Sequence, residues 1–257
     1  MKKFAVFAVI FALVFKTAFA VSFLDSRGRV EILMYHRICT DKTCGGDYCI
    51  TPETFENDLK YFKKKGFSSV FASELGNTDV KGRKIVVITF DDGYKSDIEY
   101  AVPLLEKYGY CASFYIFGGA VGTDGYLTKD DVKRLSEKKC AEIGNHTYGL
   151  HSLLPSTLNL MYADKNCEDK IIADFNKNGE FLESITGKKV ETASYPNGEF
   201  SKSADKRLKE GGIKTTFSTK WYAFSGISKS YPAGRKNRSM KINIENLIKS
   251  RRRINVK

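Results

Sequence analysis

Two patterns of apolar residues alternate along the chain: short continuous apolar runs, and apolar residues that recur at helical spacing. Together they predict strands that alternate with helices. Short apolar runs such as "VEILMYH" at 30–36 and "KIVVITF" at 84–90 are typical of buried strands. Between them, "TPETFENDLKYFKKKG" at 51–66 repeats apolar residues at helical spacing, with Thr51 as a cap and Gly66 as a stop. The first third of the chain therefore predicts a strand–helix–strand order.

The same alternation continues to about residue 219. Further strands are predicted within 67–75, 111–119, 141–146, 191–198 and 213–219. Further helices are predicted at 96–109, 128–139, 167–187 and 203–212, the first of them bent at Pro103. Strands that alternate with helices indicate a parallel sheet, and this many units in about 230 residues favours an α/β fold of the (β/α) barrel type.

The conspicuous polar groups all fall where predicted strands end. His36 closes the first strand, Asp91 and Asp92 close the strong strand, His146 closes the strand at 141–146, and "YPNG" follows the strand at 191–198. In (β/α) barrels the chemistry gathers at the C-terminal ends of the strands. Considered alone, His36 is most simply interpreted as a histidine of the core. Its position at a strand end, shared with the other polar groups, favours a functional role instead.

The first twenty residues differ from the rest of the chain. Lys2 and Lys3 precede the apolar run "FAVFAVIFALVF", and an Ala-x-Ala pattern ends at Ala20. This is the pattern of a secretory signal peptide, and the run is shorter than the roughly 20 residues that span a bilayer. The sequence predicts a signal peptide at 1–20 and one domain at 21–257, with no stable membrane span after cleavage; an uncleaved anchor is the alternative.

Charge and cysteine content agree with export. The 257-residue chain has a formal net charge of +12, or +9 without Lys2, Lys3 and Lys16, which favours attraction to an anionic cell envelope. No nucleic-acid motif is present, so no such partner is expected. The six cysteines favour disulfides or free thiols over a metal site, because Cys39, Cys44 and Cys49 lack the paired C-x2-C spacing of zinc sites. Their connectivity stays open.

Two groups of residues offer hydrolytic chemistry. In "TFDDGY" at 89–94, one acid can bind a cation while the other takes a proton, although a turn acid beside a helix cap is the plainer interpretation. His146 and His151 would lie about 140° apart on a regular helix, so they can face one ion only from a strand end and turn. Two histidines and one aspartate leave coordination positions open for water and substrate.

These motifs resemble the polysaccharide deacetylases of the NodB-homology type, carbohydrate esterase family 4. Thr89 to Gly93 match the family motif T-F-D-D-G in full, and the spacing of His146 and His151 is one residue longer than H-[ST]-x-x-H. The longer form, together with "LMYHRI" at 33–38 and the helix that follows, resembles the poly-N-acetylglucosamine deacetylase branch. The resemblance covers about residues 30–245 and implies a deformed (β/α) barrel in a single domain.

The resemblance also implies roles for particular residues. Asp91 would be the catalytic base, Asp92, His146 and His151 would hold a divalent metal, and His36 would be the general acid, as in that branch. "SYPNG" resembles the family turn R-x-P-Y-G, which makes the backbone N–H of Asn197 the candidate oxyanion donor; a purely structural turn is the alternative for Tyr195 and Pro196. Zinc suits these ligands, and nickel, cobalt or iron also fits.

Two family features are absent. Ser194 stands where the family has the arginine that orients the base, and Arg235 or Arg238 could replace it. The C-terminal L-x-H motif is missing because no histidine follows His151, and the surroundings of Trp221, the only tryptophan, match poorly. The expected function is a secreted or cell-surface N-deacetylase of an acetylated polysaccharide such as poly-N-acetylglucosamine. Peptidoglycan, chitin-type or O-acetyl substrates, or a carbohydrate-binding protein on a decayed enzyme fold, are the alternatives.

Overall fold

The computed structural model describes residues 28–40, 46–219 and 232–250. Eleven strands lie in these ranges: β1 Arg29–Tyr35, β2 Arg37–Ile38, β3 Cys49–Ile50, β4 Phe67–Ser69, β5 Lys84–Asp92, β6 Ala112–Ile116, β7 Ala141–Asn145, β8 Thr192–Ser194, β9 Thr215–Ser218, β10 Ala233–Gly234 and β11 Lys236–Asn237. Seven α-helices lie in the same ranges: α1 Pro52–Lys65, α2 Val102–Tyr108, α3 Lys129–Ser136, α4 Pro155–Ala163, α5 Glu168–Thr186, α6 Lys202–Glu210 and α7 Ile244–Lys249.

Nine of the strands form one parallel sheet that curls into a nearly closed barrel. Its order is β10, β9, β8, β7, β6, β5, β1, β11, and β4 pairs with the first residues of β5. The two end strands come from adjacent parts of the chain, since β10 pairs with β9 and β11 pairs with β1. Arg235 is the single residue between them, so the barrel wall is completed by the covalent chain at this point.

The barrel core follows from the apolar faces predicted by the sequence. On α1, Phe55, Leu59 and Phe62 are fully buried, and the Thr51 hydroxyl accepts from the Thr54 N–H as an N-cap. Gly66 ends this helix at φ 73°, a left-handed conformation that glycine adopts without steric cost. The predicted (β/α) barrel of a single domain is confirmed.

The helix predicted at 96–109 begins with an irregular turn. A π-helical turn spans Asp97–Ala101, and α2 follows with Pro103 in its first turn. The Val102 N–H donates to the Asp97 carbonyl, so the π-helical turn continues directly into α2. Helices α4 and α7 and the two-residue strands β10 and β11 were not predicted, since short segments carry little periodic signal.

Several sequence predictions concern residues outside the described ranges. The predicted signal peptide at 1–20, Cys44 and Trp221 all belong to this group, so those predictions stand as they were. Among the described residues, no helix is both long and apolar enough to span a membrane. Cys39 and Cys49 form a disulfide, as the favoured interpretation of the cysteines predicted, and Cys111, Cys140 and Cys167 are free thiols.

Candidate active site

The end of β5 places two neighbouring carboxylates in one pocket. Both Asp91 and Asp92 are buried, and Asp92 has φ 78°, a left-handed conformation that is uncommon for residues other than glycine. Gly93 continues the turn at φ 78°, where an added Cβ would lie 3.2 Å from the Ile116 side chain. This sharp change of direction lets adjacent side chains reach the same space instead of opposite faces of the sheet.

The end of β7 brings both histidines to the Asp92 carboxylate. Nε2 of His146 lies 3.3 Å from Asp92 Oδ1, and Nε2 of His151 lies 3.0 Å from the same atom. Thr147 adopts φ 71°, and the Asp174 carboxylate accepts hydrogen bonds from the backbone of the following loop. The longer spacing of the two histidines is therefore accommodated by the turn at Thr147 and the short 3-10 turn Leu150–Ser152, rather than by an α-helix.

These three residues form the only group of at least three potential metal ligands in the described part of the chain, and their ligand atoms lie within 4.8 Å of one another. His146 Nδ1 lies 2.8 Å from the Ser194 carbonyl, so Nδ1 donates and a neutral ring presents its Nε2 lone pair to Asp92. Asp92 Oδ1 and His146 Nε2 are then two acceptors that face each other, and such a pair needs a proton or a cation between its atoms. The residues present therefore fit a divalent metal ion.

Electrostatics in this pocket favour an ionised Asp92. Burial acts to raise the pKa of Asp92, but contacts with His146 and His151 hold that pKa well below its ordinary value. Burial acts to lower the pKa of His146, while Asp91 and Asp92 raise it above its ordinary value. The two carboxylates thus favour positive charge at this position, which a proton on His146 supplies in the metal-free protein and a bound cation would supply in its place.

Arg235 supplies the guanidinium that the sequence lacks at the family position. Its Nη1 and Nη2 donate to the two oxygens of Asp91, both at 2.6 Å, and Nη2 also donates to the Ser194 hydroxyl at 2.7 Å. The guanidinium lies 5.7 Å from the Tyr115 ring centroid and 5.5 Å from that of Phe217. The residue that closes the barrel is therefore also the counter-ion of the candidate base.

The pKa of Asp91 is set by burial and by this arginine. Burial acts to raise the pKa of Asp91, but Arg235 and then His146 bring it below its ordinary value, so the carboxylate is ionised at neutral pH. Of the two candidate arginines, Arg238 has a different role. It binds the Asp58 carboxylate at 2.6 and 2.9 Å, inside a buried group that fixes the segment after β11 to α1.

His36 follows β1 directly and lies at the same end of the barrel. Its ring centroid lies 4.6 Å from that of Tyr48, on the segment held by the Cys39–Cys49 disulfide. The buried Nδ1 has no hydrogen-bond partner among the described residues. Burial lowers the pKa of His36 despite the opposing influence of Asp91 and Asp92. The charges of both aspartates thus reach His36, and its role as general acid remains a prediction.

Asn197 is the exposed residue of an otherwise buried turn after β8. It adopts φ 54° between Pro196 and Gly198, and the preceding Tyr195 is buried and donates to the Asp205 carboxylate at 3.0 Å. The Tyr195 side chain thus has a structural role. The structure brings Asp91, Asp92, His146 and His151 together directly, and the proposed oxyanion contact of Asn197 remains a prediction.

Asp97 is a buried acid beside the site that the sequence did not single out. It is fully buried in the π-helical turn, and neither carboxyl oxygen has a hydrogen-bond partner among the described residues. Burial first, and then the charges of Asp92 and Asp91, raise the pKa of Asp97 well above its ordinary value. In the sequence it lies in a polar helical stretch, where an acid normally indicates a solvated face.

The substitution Asp97→Asn is expected to stabilise the metal-free protein at neutral pH. Because the pKa of Asp97 is higher in the folded state than the unfolded value of about 3.9, stability falls as pH rises above that value, with a limiting slope of about 1.4 kcal/mol per pH unit. Urea unfolding in chelator between pH 4 and 8 should show a gain that grows with pH. The paired, buried Asp205 is the control, since Asp205→Asn should destabilise; a pH-independent gain at Asp97 would contradict the explanation.

Comparisons with known proteins agree with this geometry. The family model described as "Polysaccharide deacetylase" matches residues 78–216, more than half of the chain. Poly-beta-1,6-N-acetyl-D-glucosamine N-deacetylase of Staphylococcus aureus is 28% identical over 193 residues, which are 72% of this chain and 66% of that protein. The chain thus spans just under two thirds of the length of this curated relative.

Solved structures share the fold. IcaB from Ammonifex degensii has a TM-score of 0.66 at 24% identity, over 81% of this chain and 91% of that one. A de-N-acetylase from Aggregatibacter actinomycetemcomitans has a TM-score of 0.72 at 21% identity, over 85% of this chain and 99% of that one. The shared fold and the Asp–His–His cluster at the strand ends agree with the family match over residues 78–216. The chain therefore belongs to the polysaccharide deacetylase family.

Proposed function

We propose that the chain is a secreted, metal-dependent hydrolase that removes N-acetyl groups from N-acetylglucosamine units of a polysaccharide. The observation that carries the proposal is the position of Asp91. This buried, Arg235-paired carboxylate has Oδ2 4.0 Å from His146 Nε2, beside the three candidate metal ligands. A binding protein has no need for an ionised base next to a metal site, so the arrangement favours catalysis.

The reaction assigns one task to each group. A divalent ion held by Asp92, His146 and His151, preferably zinc, would lower the pKa of water and polarise the acetamide carbonyl. Asp91 accepts the proton of the water that attacks the carbonyl carbon. The Asn197 N–H donates to the oxyanion. The C–N bond then breaks, the departing amine takes a proton from His36, acetate is released, and the glucosamine unit remains in the polymer.

Export and substrate are supported by separate observations. The Cys39–Cys49 disulfide supports an oxidising compartment, as does the predicted signal peptide at 1–20. Poly-β-1,6-N-acetylglucosamine is the preferred substrate because it appears in the name of the Staphylococcus aureus relative. The formal net charge of the chain, which is +9 without Lys2, Lys3 and Lys16 of the predicted signal peptide, also suits an anionic cell envelope.

A panel of acetylated glycans tests the proposed function. We expect the metal-loaded chain to release acetate from poly-β-1,6-N-acetylglucosamine faster than from chitin oligomers, peptidoglycan or acetylated xylan. Faster release from another member of the panel would reassign the substrate while keeping the site. Sugar binding without acetate release from any member would instead support a binding protein on a decayed enzyme fold.

His36→Asn should slow amide hydrolysis by about 10²–10⁴-fold, because the amine leaves only when it is protonated. Hydrolysis of an aryl acetate should change little, since a phenolate departs without a proton donor. The two substrates therefore separate loss of the acid from damage to the metal site, and bound metal should be unchanged. Equal losses on both substrates, or no loss on either, would return His36 to a structural role.

A further inference from the structure

The two candidate metal-ligand histidines are held in place in different ways. His146 is buried, and its Nδ1 donates to the Ser194 carbonyl at 2.8 Å, which fixes the direction of its Nε2. The side chain of His151 is 28% exposed and stacks on the Phe117 ring, with centroids 4.9 Å apart. Stacking fixes the plane of a ring but not the direction in which its nitrogen atoms point. The position of His151 therefore depends on the backbone that carries it.

The carboxylate of Asp174, on α5, holds that backbone. Its Oδ1 accepts from the Tyr148 N–H at 2.8 Å, and its Oδ2 accepts from the Gly149 N–H at 2.9 Å. Oδ1 also lies 3.5 Å from the backbone nitrogen of Leu150. Hydrogen bonds to a carboxylate are roughly twice as strong as those between neutral groups. One side chain thus fixes the consecutive peptide groups that lead into His151.

A second side chain of α5 holds the other end of the same loop. Asn178 is buried, and its Nδ2 donates to Asn145 Oδ1 and to the Ile116 carbonyl, both at 2.9 Å. Asn145 Oδ1 also accepts from the Thr147 N–H at 2.9 Å, beside the left-handed turn. Asp174 and Asn178 are four residues apart and therefore lie on one face of the helix. This face of α5 holds the loop between the histidines at both ends.

We propose that α5 is a template for the metal site, with Asp174 as the residue that positions His151. The proposal rests on the proposed function for the metal ion and its ligands. A loop that is fixed in the metal-free protein keeps His151 Nε2 at 3.0 Å from Asp92 Oδ1, so metal binding does not have to order it. Without Asp174, the ordering of the loop would be subtracted from the binding free energy.

The test measures the zinc affinity of the full chain by competition with a chromophoric chelator. We expect Asp174→Asn to weaken zinc binding by about 10–100-fold, because an amide has only one acceptor oxygen and turns an NH₂ group toward the loop. Asp164→Asn is the matched control. Asp164 also accepts a backbone N–H, from Asn166 at 2.9 Å, but in a turn that carries no candidate ligand. The control should keep the zinc affinity of the wild type.

Gly149→Ala disturbs the same contact from the side of the loop. Its added Cβ would lie 3.2 Å from Asp174 Oδ2, so the carboxylate has to move, and a smaller loss of zinc affinity is expected. Urea unfolding in chelator verifies the fold of each variant. If Asp174→Asn does not fold, Gly149→Ala gives the result instead. Unchanged zinc affinity in the folded variants would overturn the proposal.

A double variant separates positioning from a merely structural role. If Asp174 acts through His151, Asp174→Asn should cost little further zinc affinity in a chain that already carries His151→Ala. Co²⁺ also suits these ligands, and the visible absorption of Co²⁺-loaded Asp174→Asn should shift toward that of His151→Ala. A fully additive loss of affinity, or an unshifted Co²⁺ spectrum, would mean that Asp174 supports the fold and not this ligand.

Zinc affinity also separates this proposal from the proposed function, because it is measured without a substrate. Weaker zinc binding by Asp174→Asn, in a chain that releases no acetate from any glycan, would support the positioning role and overturn the proposed function. Zinc binding that does not depend on Asp174, in a chain that does release acetate, would overturn the positioning role alone.

Discussion

Asp91→Asn should lower kcat for acetate release by about 10²–10⁴-fold while leaving metal binding intact. The carboxylate is buried, ionised and held by two 2.6 Å hydrogen bonds from Arg235. An amide at this position keeps the volume but cannot accept a proton from water. Because Asp91 is not one of the three candidate metal ligands, the variant separates proton transfer from metal binding.

The measurement is acetate release together with metal content for Asp91→Asn and for a control at an exposed acid. Asp79→Asn serves as that control, since Asp79 is exposed in the loop before β5, at the opposite end of that strand from Asp91. The wild-type rate should persist in the control. If Asp91→Asn lost its metal along with its activity, Asp91 would be a ligand rather than a base, and the assigned roles of the two acids would be wrong.

Arg235→Met is expected to reduce the free energy of unfolding by about 3–5 kcal/mol at neutral pH, because it leaves a buried carboxylate without its counter-ion. Arg235 keeps the pKa of Asp91 low, so its contribution is present above about pH 4 and is lost as pH falls through the folded pKa. The deficit of the variant should therefore shrink in acid. The rise in the pKa of Asp91 should also move the acidic limb of kcat/KM to higher pH.

Arg238→Met provides a matched control for this second prediction. Arg238 is also buried and also binds a carboxylate, Asp58, at 2.6 and 2.9 Å. Both variants should lose stability, but only Arg235→Met should shift the pH profile. A double variant with Asp91→Asn should recover part of the lost stability, since the unpaired charge is gone. Equal pH profiles for the two arginine variants would mean that Arg235 has only a structural role.

The sequence predicted the elements that carry strong periodic signals and the residues that lie where they end. Strand β5 and helix α1 were identifiable because long apolar runs and capping residues agree with each other. The positions of Asp91, Asp92 and His146 agreed with the rule that barrel chemistry gathers at the C-terminal ends of strands, and His151 was indicated by its spacing from His146 and by the family resemblance. These residues meet because parallel strands end on the same side of the barrel, and the alternation of strands and helices in the sequence was enough to predict that topology.

Long-range contacts were not predictable in the same way. The sequence left Arg235 and Arg238 as equal candidates, because the choice depends on the two-residue strands β10 and β11 that flank Arg235. The same limit applies to Asp97, whose burial arises from the packing of a π-helical turn against the segment after β1. Positive φ at Asp92 and Thr147 was also not predictable, since glycine is the usual signal for that conformation.

The central claim is that Asp92, His146 and His151 hold one catalytic divalent ion beside Asp91. Its most direct test is to titrate zinc into chelator-treated protein while measuring acetate release from poly-β-1,6-N-acetylglucosamine. We expect activity to rise with added metal and to level off at about one ion per chain, and His151→Ala to weaken both binding and activity. Full acetate release by the metal-free protein would contradict the claim.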